Sequence, residues 1–375
     1  LHQRDGESIQ KLLKGMDGKM EEKYPDGFGK DDIKYAELDN DKVVEINYTS
    51  GTTGFSKGVM LTGNNLAGNV VYGIELGVLY RGERELCFLP LAHAYSCAFN
   101  FLVPMAVGAH VYLLGKVPSP KILLKAFEEV KPNLILTVPL ILEKIYKKMI
   151  LPQLSKTTMK VALNIPLLDS RIYAQIRKKL VDSFGGRFRE VIVGGAAMNE
   201  EVTNFLYKIR FPFTIGYGMT ECGPLISYDH NDEYVPGSCG QILKGIMKVR
   251  IDSEDPYNKV GEIQVSGENV MKGYYKNEEA TAKVFTEDGW LRTGDLGTID
   301  ADNRIYIRGR SKTMILGASG QNIYPEEIES KLNNLPFVME SIIIEKNGKL
   351  IGLVYPDYDT VDSTGVSHED LPVIM

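Results

Sequence analysis

Cysteine is scarce in this 375-residue chain: Cys87, Cys97, Cys222 and Cys239 are the four present, and none stands in a C-x-x-C pair or at metal-ligand spacing. That argues against a disulfide framework and a structural zinc site, and reads as four small packed thiols in a reducing compartment. Long apolar runs are also lacking. The most apolar stretch, 98–114, is broken by Asn100, Pro104, Gly108 and His110, whereas a membrane span needs about 20 mostly apolar residues. Positive charge is in deficit, with 43 Lys and Arg against 49 Asp and Glu for a net −6. No global field therefore recruits nucleic acid or an anionic membrane, and any site for a phosphate-rich ligand must be built locally. Asn47-Tyr48-Thr49 matches a glycosylation sequon but lies in an apolar strand and is discounted. No internal repeat or low-complexity run interrupts the chain. These absences point to a cytoplasmic protein.

What is present is ordinary globular material, 43% hydrophobic and 25% charged, in a length that accommodates two or more domains. The first forty residues, charged and weakly periodic, read as a surface segment ahead of a strand at 43–48. Strands and helices then alternate. Ser119-Pro120 caps a helix that Pro132 ends, a strand follows at 134–138, and a helix fits 139–149. A third helix runs from Asp169-Ser170 to its stop at Gly185. A strand at 191–193, a helix capped by Asn199 and a strand at 213–215 complete the series. This alternation predicts a mostly parallel α/β sheet. After Gly237 short strands at 248–251, 261–266 and 304–307 predict a small β-rich subdomain. The tail, with a helix opened by Pro325 and two strands flanking Asn347-Gly348, reads as a small α+β unit.

The sharpest chemical signal is Tyr48-Thr49-Ser50-Gly51-Thr52-Thr53-Gly54-Phe55-Ser56-Lys57-Gly58. Glycines let backbone N–H groups approach phosphate oxygens, hydroxyls add donors, and one lysine supplies a point charge. A Walker loop fits poorly, because Ser56 stands before Lys57 where glycine belongs and Gly58 follows where a hydroxyl would bind magnesium. A flexible surface loop would not need so many hydroxyls ahead of one lysine.

This loop resembles the phosphate-binding signature of the adenylate-forming superfamily, which includes acyl-CoA synthetases, aryl-CoA ligases and peptide-synthetase adenylation domains. Four further segments follow in that family's order. Val193-Gly194-Gly195-Ala196-Ala197 resembles the adenine and acyl-pocket wall, and Gly216-Tyr217-Gly218-Met219-Thr220-Glu221 the second core motif. Gly289-Trp290-Leu291-Arg292-Thr293-Gly294-Asp295 resembles the ribose motif, and Gly309-Arg310-Ser311-Lys312 the hinge. Each alone has a bland reading: a core tyrosine, a solvated glutamate, a turn aspartate. Five in order, from Tyr48 to Lys312, leave little room for chance.

The resemblance implies roles. Thr49 to Gly54 with Lys57 would hold the β- and γ-phosphates of ATP, and the Tyr217 ring would pack on adenine between Gly195, Ala196, Ala197, Gly218 and Met219. Thr220 would contact the α-phosphate, and Glu221, with Thr49, would bind Mg²⁺. Asp295 would accept from the ribose hydroxyls, Arg310 would reach the ribose, and Lys312 would be the pivot between a large domain, 1–310, and a small lid, 311–375. Lys57, Thr220 and Glu221 are the catalytic candidates. The implied reaction is attack of a carboxylate on the α-phosphorus of ATP, then transfer of the acyl group to coenzyme A. The segment 317–322 resembles the lining of the pantetheine tunnel.

For the acid, Leu89-Pro90-Leu91-Ala92-His93-Ala94-Tyr95-Ser96-Cys97 contains no Asp or Glu. An amino-acid substrate would leave its ammonium unpaired there, at a cost of about 3–5 kcal/mol for an uncompensated buried charge. His93 and Tyr95, with Gly194 and Gly195, are the acyl and thiol pocket candidates, and the stretch is similar to bacterial medium- or long-chain fatty acyl-CoA synthetases. A fatty acid would call for peripheral access to a membrane rather than a span; the residues carry no signal of oligomeric state. Two departures stand out. The family carries a long stretch of chain ahead of the loop, and a catalytic lysine late in the small domain for which Lys346 and Lys349 are poor substitutes. The sequence is therefore expected to be a fragment lacking both ends, or the ordered part of a longer chain. An aryl- or amino-acid-activating ligase, or a non-catalytic nucleotide-binding relative, is the competing reading.

Overall fold

The computed structural model describes residues 6–34, 39–49, 56–154, 156–165, 168–316, 322–346, 349–369 and 371. Two compact units divide the chain, Leu1–Asn40 and Asp41–Met375. The first is carried by one helix, Gly6–Lys23, along which every described side chain is exposed. The charged, weakly periodic sequence there predicts a surface segment and not this helix. Lys, Glu, Met and Leu favour the helix locally, and Ile9, Leu12, Leu13, Met16 and Met20 recur at helical spacing, but Gly15 and Gly18 in its interior weaken the signal.

In the second unit five parallel strands pair in the order His110–Leu113, Arg84–Cys87, Leu134–Thr137, Glu190–Val193 and Phe213–Ile215. The Leu-, Ile- and Val-rich central strands Leu134–Thr137 and Glu190–Val193 are buried throughout, as suits a sheet covered on both faces, while the edge strand His110–Leu113 stays largely exposed. Ile135, Val191 and Val193 pack with Phe127 and Leu206 of the crossover helices and with Phe184 just past the end of one, while Leu134, Leu136 and Ile192 face a second core with Val59, Leu61 and Phe99. The alternation along Leu134-Ile135-Leu136 is the two-residue period of a strand, which splits one apolar run between two cores.

The crossover helices start and stop where their residues dictate. Pro120–Val130 begins behind Ser119, whose hydroxyl accepts from the Ile122 N–H at 3.4 Å, and Glu200–Lys208 begins behind Asn199, whose side chain accepts from the N–H groups of Glu201 and Val202. Leu168–Ser183 ends before Gly185, which has φ +91 and no room for a side chain: a Cβ would stand 2.5 Å from the Phe127 carbonyl. The helix expected at 139–149 is α-helical over Pro139–Ile145 and then widens to a π turn over Tyr146–Ile150.

Antiparallel sheets complete the unit. Val43–Thr49 and Lys57–Thr62 form a hairpin that Gly273–Tyr274 extends. The signature loop therefore joins two antiparallel strands, not a strand and a helix as a Walker loop would; its residues Ser50, Gly51, Thr52, Thr53, Gly54 and Phe55 lie outside the described residues. Tyr217–Gly218, Leu225–Tyr228 and Gln241–Ile242 form a small sheet, and Met247–Asp252, Gly261–Gly267, Leu291–Ile299 and Ile305–Arg310 a larger one. In the tail, the helix Pro325–Leu332 precedes the paired strands Val338–Lys346 and Lys349–Pro356, whose turn, Asn347-Gly348, lies outside the described residues, as does 317–321. The architecture is thus a multi-sheet α/β protein. The four cysteines are free thiols, and no described helix is long and apolar enough to cross a membrane.

Candidate active site

A cleft of about 1280 Å³ opens at the carboxyl ends of the parallel strands. Phe88 follows the strand Arg84–Cys87, Val138 follows Leu134–Thr137, Gly194 follows Glu190–Val193, and Gly216 follows Phe213–Ile215; all four line it. Open α/β sheets bind ligands in this position because the loops leaving the strands converge there. Thr49, Lys57, Thr220, Glu221, Arg310 and Lys312 line the same cleft, so residues scattered from 49 to 312 in sequence are brought together.

On one side lies a charged pair held apart by a ring. Lys57 opens the strand Lys57–Thr62 opposite Thr49, and its Nζ stands 4.7 Å from the centroid of the Tyr274 ring. The Tyr274 hydroxyl donates to Glu221 Oε1 at 2.8 Å. Burial, then the neighbouring Glu221 charge, pushes that hydroxyl above its ordinary range, so it remains the donor. Glu221 sits in a single 3₁₀ turn, Thr220–Cys222, whose carbonyl at Glu221 accepts from the Met271 N–H at 2.8 Å. Gly218 brings this turn close to its neighbour: a Cβ there would lie 2.2 Å from the Pro224 carbonyl oxygen. Tyr274 was absent from the sequence candidates; the Gly273-Tyr274 pair carries no charge or nucleophile to single it out.

A second cluster surrounds Asp295. Its Oδ2 accepts from the Tyr217 hydroxyl at 2.7 Å and its Oδ1 faces Arg310 Nε at 3.1 Å. Burial raises the Asp295 carboxyl above its usual range, against the pull of the Tyr217 and Arg310 donors. The strand register sets this contact, because Asp295 pairs directly with Arg310 across two neighbouring strands. Thr293 and Gly294 form the cleft wall, and Asp295 stands immediately behind them. Both carboxylate oxygens are already engaged, each with lone-pair capacity to spare.

The remaining candidates separate. His93 is exposed on the rim, Tyr95 half-buried, and both line the cleft with Gly194, Gly195, Gly218 and Met219; Ala196 and Ala197 are exposed and do not. The Tyr95 hydroxyl donates to the Ile192 carbonyl at 3.1 Å, and its ring covers Gly194 so closely that a Cβ there would be 3.3 Å from it. Beneath this wall runs a polar chain that sequence reasoning missed. Ser96 Oγ donates to Asn100 Oδ1 at 2.9 Å, and Asn100 Nδ2 donates to Glu85 Oε1 at 2.7 Å. Glu85 is fully buried, and its Oε2 has no partner among the described residues. Burial pushes this carboxyl up to about 8, with the Asn100 donor opposing.

Among the described residues no group of three or more His, Cys, Asp or Glu side chains could hold a metal by itself. One carboxylate at the cleft wall is nonetheless the donor set that Mg²⁺ takes when substrate phosphates and water complete its octahedron, and Glu221 fits that role.

The sequence profile of AMP-binding enzymes matches residues 3–275. A long-chain-fatty-acid–CoA ligase of Mycobacterium bovis is 30% identical over 331 residues, covering 81% of this chain and 52% of that protein. A 4-coumarate–CoA ligase of Narcissus pseudonarcissus is 32% identical over 321 residues, covering 81% and 53%. The structure of O-succinylbenzoate coenzyme A synthetase from Bacillus subtilis, in complex with ATP and magnesium ion, superposes with a TM-score of 0.68 at 26% identity, covering 87% of this chain and 63% of that one. The chain spans about half the length of the curated relatives it matches.

Proposed function

The chain belongs to the AMP-binding enzyme family, and from that premise we propose that it activates a medium- or long-chain fatty acid as an acyl-adenylate, releasing pyrophosphate, and passes the acyl group to coenzyme A. The observation that carries this reading is the composition of the cleft at the carboxyl ends of the parallel strands. Lys57, Thr220, Glu221 and Arg310 line it, and the segment 88–96 adds Phe88, Leu89, Pro90, His93, Ala94, Tyr95 and Ser96, with no carboxylate among them.

In the first half-reaction two anions meet, so repulsion and alignment dominate the barrier. Lys57 offsets charge on the departing pyrophosphate, and the Thr220 hydroxyl orients the α-phosphate. Glu221 would hold Mg²⁺, which supplies Lewis-acid neutralisation of phosphate charge. Asp295 and Arg310 would take the ribose hydroxyls, and the Tyr217 ring would flank the base. The acid is ionised at neutral pH and needs no general base. The second half-reaction would follow rotation of the segment beyond Ser311 about Lys312. The hydrogen bonds from Lys147 Nζ to the Asn333 carbonyl, 2.9 Å, and from Asn199 Nδ2 to Asn334 Oδ1, 2.7 Å, are polar contacts of the kind that break and reform readily. In this reading the enzyme works in the cytoplasm and meets its lipid substrate free or at a membrane surface.

Pyrophosphate exchange across fatty, aryl and amino acids tests the reading. Fatty acids are expected to exceed both other classes by at least about tenfold, roughly the worth of one or two buried methylenes beyond what a shorter acid reaches. A best rate with a hydroxycinnamate or an amino acid would overturn the substrate assignment and leave the adenylation chemistry standing.

A further inference from the structure

We propose that Tyr274 is a positioning residue that keeps the phosphate-facing lysine and the metal-facing carboxylate of the cleft apart and aimed. The inference rests on the nucleotide-activation reading above. Lys57 and Glu221 carry opposite charges in one cleft, yet among the described residues Lys57 makes no ion pair and lies instead over the Tyr274 ring. Between them lies Tyr274, whose ring face takes the lysine Nζ at 4.7 Å and whose hydroxyl takes Glu221 Oε1 at 2.8 Å. A direct pair of the two would satisfy both charges and blunt both functions, since a lysine closed on a carboxylate offers no field to phosphate and a carboxylate closed on a lysine offers little to a divalent cation.

Tyr274 is suited to this by its own anchoring. Its backbone pairs with Val59 at the edge of the hairpin that also carries Lys57. Its N–H donates to Thr281 Oγ1 at 2.9 Å, and the next residue, Tyr275, donates to the Gly58 carbonyl at 2.7 Å. The side chain is buried. A rigid two-torsion aromatic thus stands between a long flexible cation and a carboxylate on a single turn. The ring offers a cation–π face and the hydroxyl a directional donor, two contacts that no aliphatic side chain reproduces. A hydrogen bond of this sort behind a metal-facing carboxylate commonly contributes 10–100-fold to metal affinity.

The test compares the parent chain with Tyr274→Phe, Tyr274→Leu and the double variant Tyr274→Leu/Glu221→Gln by titration calorimetry with ATP, in EDTA and in a Mg²⁺ series. Phe keeps the ring and loses only the hydroxyl, so metal-free ATP affinity stays within about twofold of the parent while the Mg²⁺ requirement rises roughly tenfold. Leu also removes the cation–π face, so Lys57 closes on Glu221 and metal-free affinity falls roughly tenfold. Adding Glu221→Gln to that variant restores metal-free affinity, because the partner that captured Lys57 has lost its charge. Melting temperatures of all four proteins accompany the titrations. A purely structural tyrosine would lower stability and both affinities in parallel with no restoration in the double variant, which overturns the proposal. An unchanged Mg²⁺ requirement in Tyr274→Phe overturns it as well, even if Leu fails to fold. If the parent itself binds no ATP, the nucleotide reading fails first and the inference with it.

Discussion

Glu221→Gln is expected to lower acyl-adenylate formation by on the order of 10²–10³ while leaving the fold intact. The carboxylate lines the cleft from the middle of a single 3₁₀ turn whose backbone is held through the Met271 N–H and does not depend on the side-chain charge. Glutamine keeps an oxygen that accepts from Tyr274, so packing around the turn survives. What disappears is the charge that a hard divalent cation needs from the protein when phosphates supply its other ligands. The measurement is single-turnover formation of acyl-AMP over a Mg²⁺ series, with melting temperature alongside. A rate within a few-fold of the parent at saturating Mg²⁺ would remove Glu221 from the metal role.

The second large effect is on stability. Folding free energy is expected to fall as pH rises from about 5 to about 8, and Glu85→Gln to flatten that fall. Burial raises the Glu85 carboxyl from 4.5 to about 8 in the folded protein. Across that window the native state holds a proton that the unfolded chain has released, so each unit of rising pH favours unfolding, by up to about 1.4 kcal/mol. The favourable proton uptake is fully present below the unfolded value and is lost as pH passes through the folded one; over the whole window the change is on the order of a few kcal/mol. Other groups lean the same way: burial raises Glu143 and Asp295, and Glu190 raises His230 through its hydrogen bond. Glu190 itself acts in the acid range, where burial is outweighed by donors from His230 and Tyr228 that lower it. The difference between parent and Glu85→Gln therefore isolates one group from the sum. Urea midpoints at pH 5, 6, 7 and 8 provide the check. Glutamine keeps the acceptor for Asn100 and removes the ionisation, so the variant is equal or slightly weaker at pH 5 and stronger at pH 8. Parallel profiles would show that Glu85 carries no part of the slope.

Glu85 also shows where sequence reading stops. In Arg84-Glu85-Leu86-Cys87 a glutamate amid apolar residues gives no sign that it lies fully buried, because strand alternation permits it a solvated face. Only the packing of the π segment Cys97–Leu102 against the sheet, which brings Asn100 over it, decides the matter. Tyr274 is legible only in three dimensions for a similar reason. Its two partners, Lys57 and Glu221, are 217 and 53 positions away along the chain, and no local period relates them.

By itself the sequence determined the elements whose causes are local. Ser119-Pro120 and Asn199 start helices by offering an oxygen to unpaired N–H groups, Gly185 stops one by needing no Cβ, and the short runs of Ile, Val and Leu make strands buried on two faces. It also marked the residues that line the cleft, because Lys57, Thr220, Glu221 and Arg310 stand in motifs whose order and chemistry are visible in one dimension. The tertiary structure alone decided which of these groups neutralise one another before any ligand arrives. Asp295 is shared by Tyr217 and Arg310, and Lys57 is parted from Glu221 by an aromatic ring. These are distance-dependent electrostatic contacts between strands and turns remote in sequence, set by sheet register and burial, and neither quantity is written in the order of the residues.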